Sequence, residues 1–205
     1  YISYRGLLLF VIKNIINKLS GLFGLIIPIV TTIVLTITLL ENQWFSWTKN
    51  ALSDLGRPDA SPILFNNGLV VLGIFLLIFS IGLILNFKEK LGPTVLFMCS
   101  FLLMLIGFFP APHMLHEPIS MIFFISFSAG FFIIGYNFYS GVFPSFIAGI
   151  KILALMVVVS AIFAFIFFVF YNWVAISEML IIYPGFIWCM VYGISLIKDD
   201  YGFRD

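Results

Sequence analysis

Long apolar runs separated by short polar segments set the pattern of this chain. Six of these runs are long enough for helices that cross a membrane, since such a helix needs about 20 mostly apolar residues. The alternating pattern of a membrane β-barrel is missing. We therefore predict an all-α membrane protein, a bundle of six transmembrane helices. The predicted spans are residues 19–40, 63–87, 94–109, 119–140, 146–171 and 179–197.

The segment before the first span, residues 1–18, has a different pattern. Its polar residues recur with the period of a helix and share one face: Lys13, Asn14, Asn17 and Lys18. This pattern predicts an N-terminal amphipathic interfacial helix, lying on the cytoplasmic surface with its lysines towards anionic headgroups. The alternative is one long first helix that leaves the bilayer and is kinked within residues 21–28.

Composition supports the membrane assignment. Of the 205 residues, 62% are hydrophobic and 9% are charged, whereas about 25% of the residues in a soluble domain are charged. One transmembrane domain, residues 19–197, is predicted between the interfacial segment and a short cytoplasmic tail, residues 198–205. A net charge of +1 implies no polyanionic partner, so nucleic acid is not expected. Membrane lipids and other membrane subunits of a larger complex are the expected partners.

Lysine and arginine residues predict the orientation of the bundle, because cytoplasmic segments are enriched in both. With both termini inside, eight basic residues lie on the cytoplasmic side, and only Lys49 and Arg57 lie outside. The chain is therefore predicted to lie in the plasma membrane with cytoplasmic N- and C-termini. The eight inner residues are Arg5, Lys13, Lys18, Lys88, Lys90, Lys151, Lys198 and Arg204.

Ionisable residues are confined to the ends of the predicted spans. Pumps and ion-coupled transporters need such groups at membrane depth, so neither is expected. No phosphate-binding loop of an ATP-driven machine is present. Small-molecule transport would need polar groups lining the bundle, and the few candidates lie near span ends: Asn66, Asn67, Tyr136 and Asn137.

The outer loop between the first two spans holds the strongest single candidate for a functional residue. Thr48 is predicted to cap a short helix that Gly56 ends. Trp44 and Trp47 are expected to rest in the headgroup layer, where indole rings are enriched. Asp54 would lie late in this helix, where the helix dipole disfavours a negative charge. A role beyond capping is therefore expected for Asp54.

Three other outer acids fit a simpler role. Asp59, Glu117 and Glu178 each lie just before a predicted span, where a carboxylate faces the positive end of the helix dipole. Pro62 and Pro118 suit the first turn of a helix. Helix capping therefore accounts for these three acids.

The second outer loop contains the only two histidines of the chain, His113 and His116. Three residues apart, they would project from one face of a helical turn. Together with Asp54 and Glu178, they could hold a zinc ion, whose bound water could attack a lipid ester or amide. The alternative is a pair of ordinary hydrogen-bonded histidines, with no metal and no other cofactor.

Two further expectations concern Asp54 and its neighbours. Asp54 and His116 are predicted to approach each other as an ion pair that joins the two outer loops. Ser53, beside Asp54, is a candidate nucleophile, although no nucleophile motif surrounds it. The catalytic candidates are therefore Asp54, His116 and Ser53.

Two stretches give the chain a family resemblance. One is Asn50–Gly56 with Ser61–Gly68, and the other is Gly107–Pro110 followed by His116. They resemble the prokaryotic membrane proteins, many of them archaeal, grouped as domain of unknown function 998. The resemblance implies a six-helix plasma-membrane protein and no particular reaction. Two features fall outside the family pattern: the extra His113 and the Glu117–Pro118 pair.

Two functions follow as hypotheses. The first is a non-enzymatic protein, either an accessory or scaffold subunit of a membrane complex or a lipid-contacting module. The alternative is an outer-face hydrolase or transferase, metal-assisted, that acts on a lipid headgroup. Apolar spans and a capping role for most outer acids favour the first hypothesis.

Overall fold

A computed structural model describes residues 4–139 and 148–198. All regular elements of these residues are helical, so the predicted all-α class is confirmed. The predicted tail lies outside the described residues apart from Lys198. The α-helices are α1 Tyr4–Glu41, α2 Pro62–Asn86, α3 Leu91–Phe108, α4 His116–Tyr139, α5 Ala148–Ile166 and α6 Val174–Ile197. A 3-10 helix, Leu52–Gly56, precedes α2, and a π-helix, Phe167–Tyr171, extends α5.

Five of the described helices, α1 to α4 and α6, are long and apolar enough to cross a membrane. The apolar part of the α5 region, Leu155–Tyr171, is shorter. Each helix packs on its neighbours in the chain, and α1 also packs on α6. The chain is therefore a membrane protein built as a closed helical bundle. We call the end at which residues 42–61, 109–115 and 172–173 connect the helices the loop end.

Helix α1 is continuous over 38 residues and is about 57 Å long, well beyond the roughly 30 Å of a bilayer core. The structure therefore has one long first helix, and no break separates residues 4–18 from the predicted span. Asn17 is not on an outer polar face: it is buried and hydrogen-bonded to Asn86 of α2. Contact of the N-terminal segment with the membrane surface stays a prediction.

Small residues bring α1 against α2 and α6. A Cβ atom on Gly21 would lie 2.5 Å from the carbonyl oxygen of Gly193, and one on Gly193 would lie 2.5 Å from that of Gly21. A Cβ on Gly82 would lie 2.4 Å from the Cβ of Ser20. Lipid provides no hydrophobic drive between helices, so close backbone packing at small residues is a main source of their association.

Aromatic side chains fill the centre of the bundle. The rings of Trp188 and Tyr192 stack with centroids 5.1 Å apart, and Phe79 meets Trp188 edge-on at 6.3 Å. Such offset and edge-to-face pairs are favoured by the ring quadrupole. Cys99 and Cys189 are both buried and free. The core thus fixes the helices that carry the loops.

Candidate functional site

Helix α6 and the first loop bind each other through paired backbone and side-chain contacts at the loop end. The Leu52 amide donates a hydrogen bond to Glu178 Oε2 at 2.7 Å. In return, the Ala175 amide in the first turn of α6 donates to the Asn50 carbonyl at 3.1 Å. Each helix start therefore has an amide satisfied by the other segment. We call this reciprocal pair the loop–α6 contact.

The loop–α6 contact corrects the role expected for Glu178. Helix α6 begins at Val174, so Glu178 lies inside it and does not precede it. Its carboxylate caps the 3-10 helix of the first loop, 126 residues away in the chain. Glu178 is therefore a capping acid, as expected, but for a different helix.

Asp54 caps the same 3-10 helix. Its Oδ2 accepts hydrogen bonds from the Ala51 amide at 3.0 Å and from Asn50 Nδ2 at 3.2 Å, and its Oδ1 pairs with Arg57 Nε at 3.0 Å. The helix starts at Leu52 rather than near Thr48, so Asp54 lies in its first turn. The prediction that the helix dipole disfavours a negative charge on Asp54 is wrong, because a carboxylate is favoured in the first turn of a helix.

The two histidines close the turn between α3 and α4. His116 is buried, and its Nδ1–H donates to the Phe109 carbonyl at 2.9 Å. His113 is exposed, its ring packs on Phe109 with centroids 4.9 Å apart, and its Nδ1 accepts from the Leu115 amide at 3.1 Å. Both rings therefore have local backbone partners.

The predicted ion pair between Asp54 and His116 is not formed. Asp54 is paired with Arg57, and His116 with a backbone carbonyl. Across residues 4–139 and 148–198, no group of three or more His, Cys, Asp or Glu side chains is placed to hold a metal ion. The zinc ligands considered from sequence, His113, His116, Asp54 and Glu178, are thus not gathered into one such group.

An apolar cavity of about 70 Å³ lies beneath the first loop. Ser53 and Glu178 border it at the loop end, and apolar side chains of α1, α2, α3, α4 and α6 form its walls. It has room for a few water-sized molecules but not for a lipid chain. The hydroxyl of Ser53, the candidate nucleophile, makes no hydrogen bond within the described ranges, so no base contacts it there.

A chain of hydrogen bonds at the end of α1 was missed from the sequence. Trp44 Nε1 donates to Asn42 Oδ1 at 3.0 Å, Asn42 Nδ2 donates to Ser61 Oγ at 2.7 Å, and Ser61 Oγ donates to Glu41 Oε2 at 2.6 Å. Ser61 therefore bonds to Glu41 and does not cap α2 with its side chain. The chain of donors ends on the Glu41 carboxylate.

Glu41 is an acid at the loop end that helix capping does not explain. It is the last residue of α1, where the helix dipole disfavours a negative charge. In the described part of the chain the one ion pair is that of Asp54 with Arg57, so Glu41 has no basic partner there. Its position directly after the apolar run 19–40 was the signal that could have identified it.

Glu41 borders an open groove of about 620 Å³ between α1 and α2. Ser61 and Asn67 provide further polar groups, while Val30, Val34 and Val71 are among its apolar walls. Ligand sites in proteins span about 300–1,000 Å³. The groove has a volume within this range, so it is a candidate binding site at the loop end.

Comparison with known protein families gives a match over most of the chain. The model of the family described as "Protein of unknown function (DUF998)" matches residues 25–195. No curated protein and no solved structure matches the chain. The matched range includes both loops, the groove and the loop–α6 contact.

Proposed function

Because the chain belongs to the DUF998 family, whose description assigns no reaction, we propose a function from its geometry. The protein is a non-enzymatic, lipid-contacting accessory module of the plasma membrane. It has six spans with both termini in the cytoplasm, and it presents a fixed outer surface to lipids and to other membrane subunits. Two observations support this proposal: the helices are apolar, and the polar groups of the loops hold those loops in place.

The loop–α6 contact is the observation that carries the proposal. Asp54 and Glu178 bind the amides of adjacent residues, Ala51 and Leu52. Asn66 Nδ2 donates to the Gly56 carbonyl at 2.9 Å and so ties the end of the 3-10 helix to α2. These polar groups are engaged in hydrogen bonds that hold the loop in place. Such an arrangement suits a fixed surface better than a reaction centre.

The alternative, an outer-face enzyme acting on a lipid headgroup, has less support. It needs Asp54, Ser53 and His116 to act on one substrate. Asp54 and His116 have separate partners, and a general base must lie within hydrogen-bond reach of the group that it activates.

Lipid retention and lipid turnover test the proposal together. We expect protein purified in mild detergent to retain native lipids, seen by native mass spectrometry, and to leave their masses unchanged after prolonged incubation. Lipid products formed by the native protein, and lost in Asp54→Ala and His116→Ala, would favour the enzyme. Complete absence of retained lipid would refute the lipid-contacting role.

The proposed orientation gives a separate prediction. Because basic residues favour the cytoplasmic side, a cysteine at Ala60 should react with an impermeant thiol reagent in intact cells. A cysteine at Lys90 should stay unlabelled until the membrane is opened. Labelling of the cysteine at position 90 in intact cells would show that the orientation is the reverse of the one proposed.

A further inference from the structure

We infer that the groove between α1 and α2 binds one lipid whose headgroup carries a primary ammonium group, with an acyl chain lying along the apolar walls. This inference rests on the proposed lipid-contacting function and names the site and the ligand class. The groove, Glu41 and Asn67 carry it.

The groove has the length and polarity of an amphiphile. Glu41 stands at its polar end, and Val34 and Val30 follow seven and eleven residues earlier on α1. At 1.5 Å per residue, the apolar wall reaches roughly 16 Å below Glu41, about the depth of one bilayer leaflet's hydrocarbon. The polar end therefore lies at the level of lipid headgroups when α1 spans the membrane.

A glycine lets the two helices meet under the groove. Gly68 of α2 faces Val34 of α1, and a Cβ atom at position 68 would lie 2.8 Å from Val34 Cγ1. Ile63 and Val71, on the same stretch of α2, are 78% and 38% exposed. The groove therefore has a closed floor and an opening toward the surrounding lipid.

Charge at the polar end selects the headgroup. Glu41 Oε2 accepts from Ser61, while Oε1 has no hydrogen-bond partner in the described residues. Asn67 is exposed, and its side-chain amide makes no hydrogen bond within these residues either. Of the residues that the structure describes, no lysine or arginine lines the groove. A carboxylate and an amide without a cation suit a ligand that is positively charged and donates hydrogen bonds.

A primary ammonium group meets both requirements, since it carries one positive charge and three N–H donors. Glu41 Oε1 and the Asn67 carbonyl offer it two acceptors. A trimethylated ammonium has the same charge but no N–H to donate. A headgroup that is only anionic would be repelled by Glu41. A comparison of lipids with these two headgroups therefore separates the effect of hydrogen bonding on binding from the effect of charge.

The test compares phospholipids with identical acyl chains and ethanolamine, choline or glycerol headgroups. Delipidated protein is supplied with an equal mixture, and bound lipids are counted by native mass spectrometry. We expect the ethanolamine lipid to exceed the choline lipid by about tenfold, the size of one hydrogen bond to a charged group. Glu41→Gln, which keeps an acceptor for Ser61 and leaves Asn67 in place, should sharply reduce the preference. Glu117→Gln, an exposed acid at the same end, should leave it unchanged.

A second variant keeps the test decisive. Val71→Trp fills the apolar wall and should lower the retention of all three lipids, while its thermal unfolding reports whether the fold is intact. Equal retention of the three lipids by the native protein would overturn the headgroup assignment and leave the proposed function standing. Undiminished retention in folded Val71→Trp would overturn the site itself. Failure of the native protein to bind any lipid would refute the proposed function.

Discussion

Replacing Gly193 by leucine is expected to destabilise the helix bundle strongly. The new Cβ would lie 2.5 Å from the carbonyl oxygen of Gly21 and 3.1 Å from the backbone nitrogen of Leu25. Both are backbone atoms of α1, so no side-chain rotation relieves the contact, and α1 must move away from α6. Overpacking of this kind costs about 1–3 kcal/mol or more. Thermal unfolding in detergent measures the loss.

Gly6→Leu is the matched control for this prediction. Gly6 lies on the exposed N-terminal part of α1, so the same substitution meets no other helix there. Leucine is also favoured over glycine within a helix by up to about 1 kcal/mol. Gly6→Leu should therefore be neutral or slightly stabilising. Equal unfolding temperatures for the two variants would contradict the close approach of α1 and α6.

Replacing Glu178 by alanine is expected to release the first loop from α6. The Leu52 amide would lose its acceptor, and an unsatisfied, partly buried donor costs about 1–3 kcal/mol. The released loop should be cut by added protease faster than in the native protein, by about tenfold for each 1.4 kcal/mol lost. Limited proteolysis followed by mass spectrometry of the fragments measures this rate.

Two variants separate this contact from general effects of charge. Glu178→Gln keeps a carbonyl oxygen that can accept from the Leu52 amide. Its first loop should therefore be cut much more slowly than that of Glu178→Ala. Glu117→Ala removes an exposed acid at the same end and should leave the loop protected. Rapid cleavage in Glu117→Ala, or unchanged protection in Glu178→Ala, would show that Glu178 does not hold the loop.

The helices could be predicted from sequence because lipid imposes a strict local rule. Backbone groups within a membrane must be satisfied inside the segment, so a charge-free apolar run such as residues 19–40 indicates a helix without knowledge of its neighbours. The start of α1 was harder to predict. Asn17 looks like part of a polar outer face by period alone, and only its partner Asn86, 69 residues away, accounts for its burial.

The site could be predicted only in part, since its contacts join distant residues. The sequence predicts Asp54 late in a helix capped by Thr48, but the structure places it in the first turn of a shorter 3-10 helix. Asn50 Oδ1 accepts from the Ser46 amide at 2.9 Å and closes a turn, and such side-chain contacts compete with helix formation. The helix therefore begins at Leu52. The partner of Glu178 is a backbone amide, which no residue pattern reveals.

Glu41 could have been identified from the sequence, because it follows an apolar run and ends α1, where the helix dipole disfavours a negative charge. The hydrogen-bond partner of Glu41 could not be predicted from the sequence, because the bond from Ser61 depends on how a 20-residue connection folds back.

Hydrogen exchange at the Leu52 and Ala175 amides tests the central claim, a first loop fixed to α6, most directly. Both amides donate in the loop–α6 contact, and amides in stable contacts exchange only when the structure opens. Exchange of the native protein in detergent or nanodiscs should be nearly as slow at both amides as within α2, and Glu178→Ala should accelerate it at Leu52. Exchange of both native amides at the rate of an unstructured peptide would contradict the account.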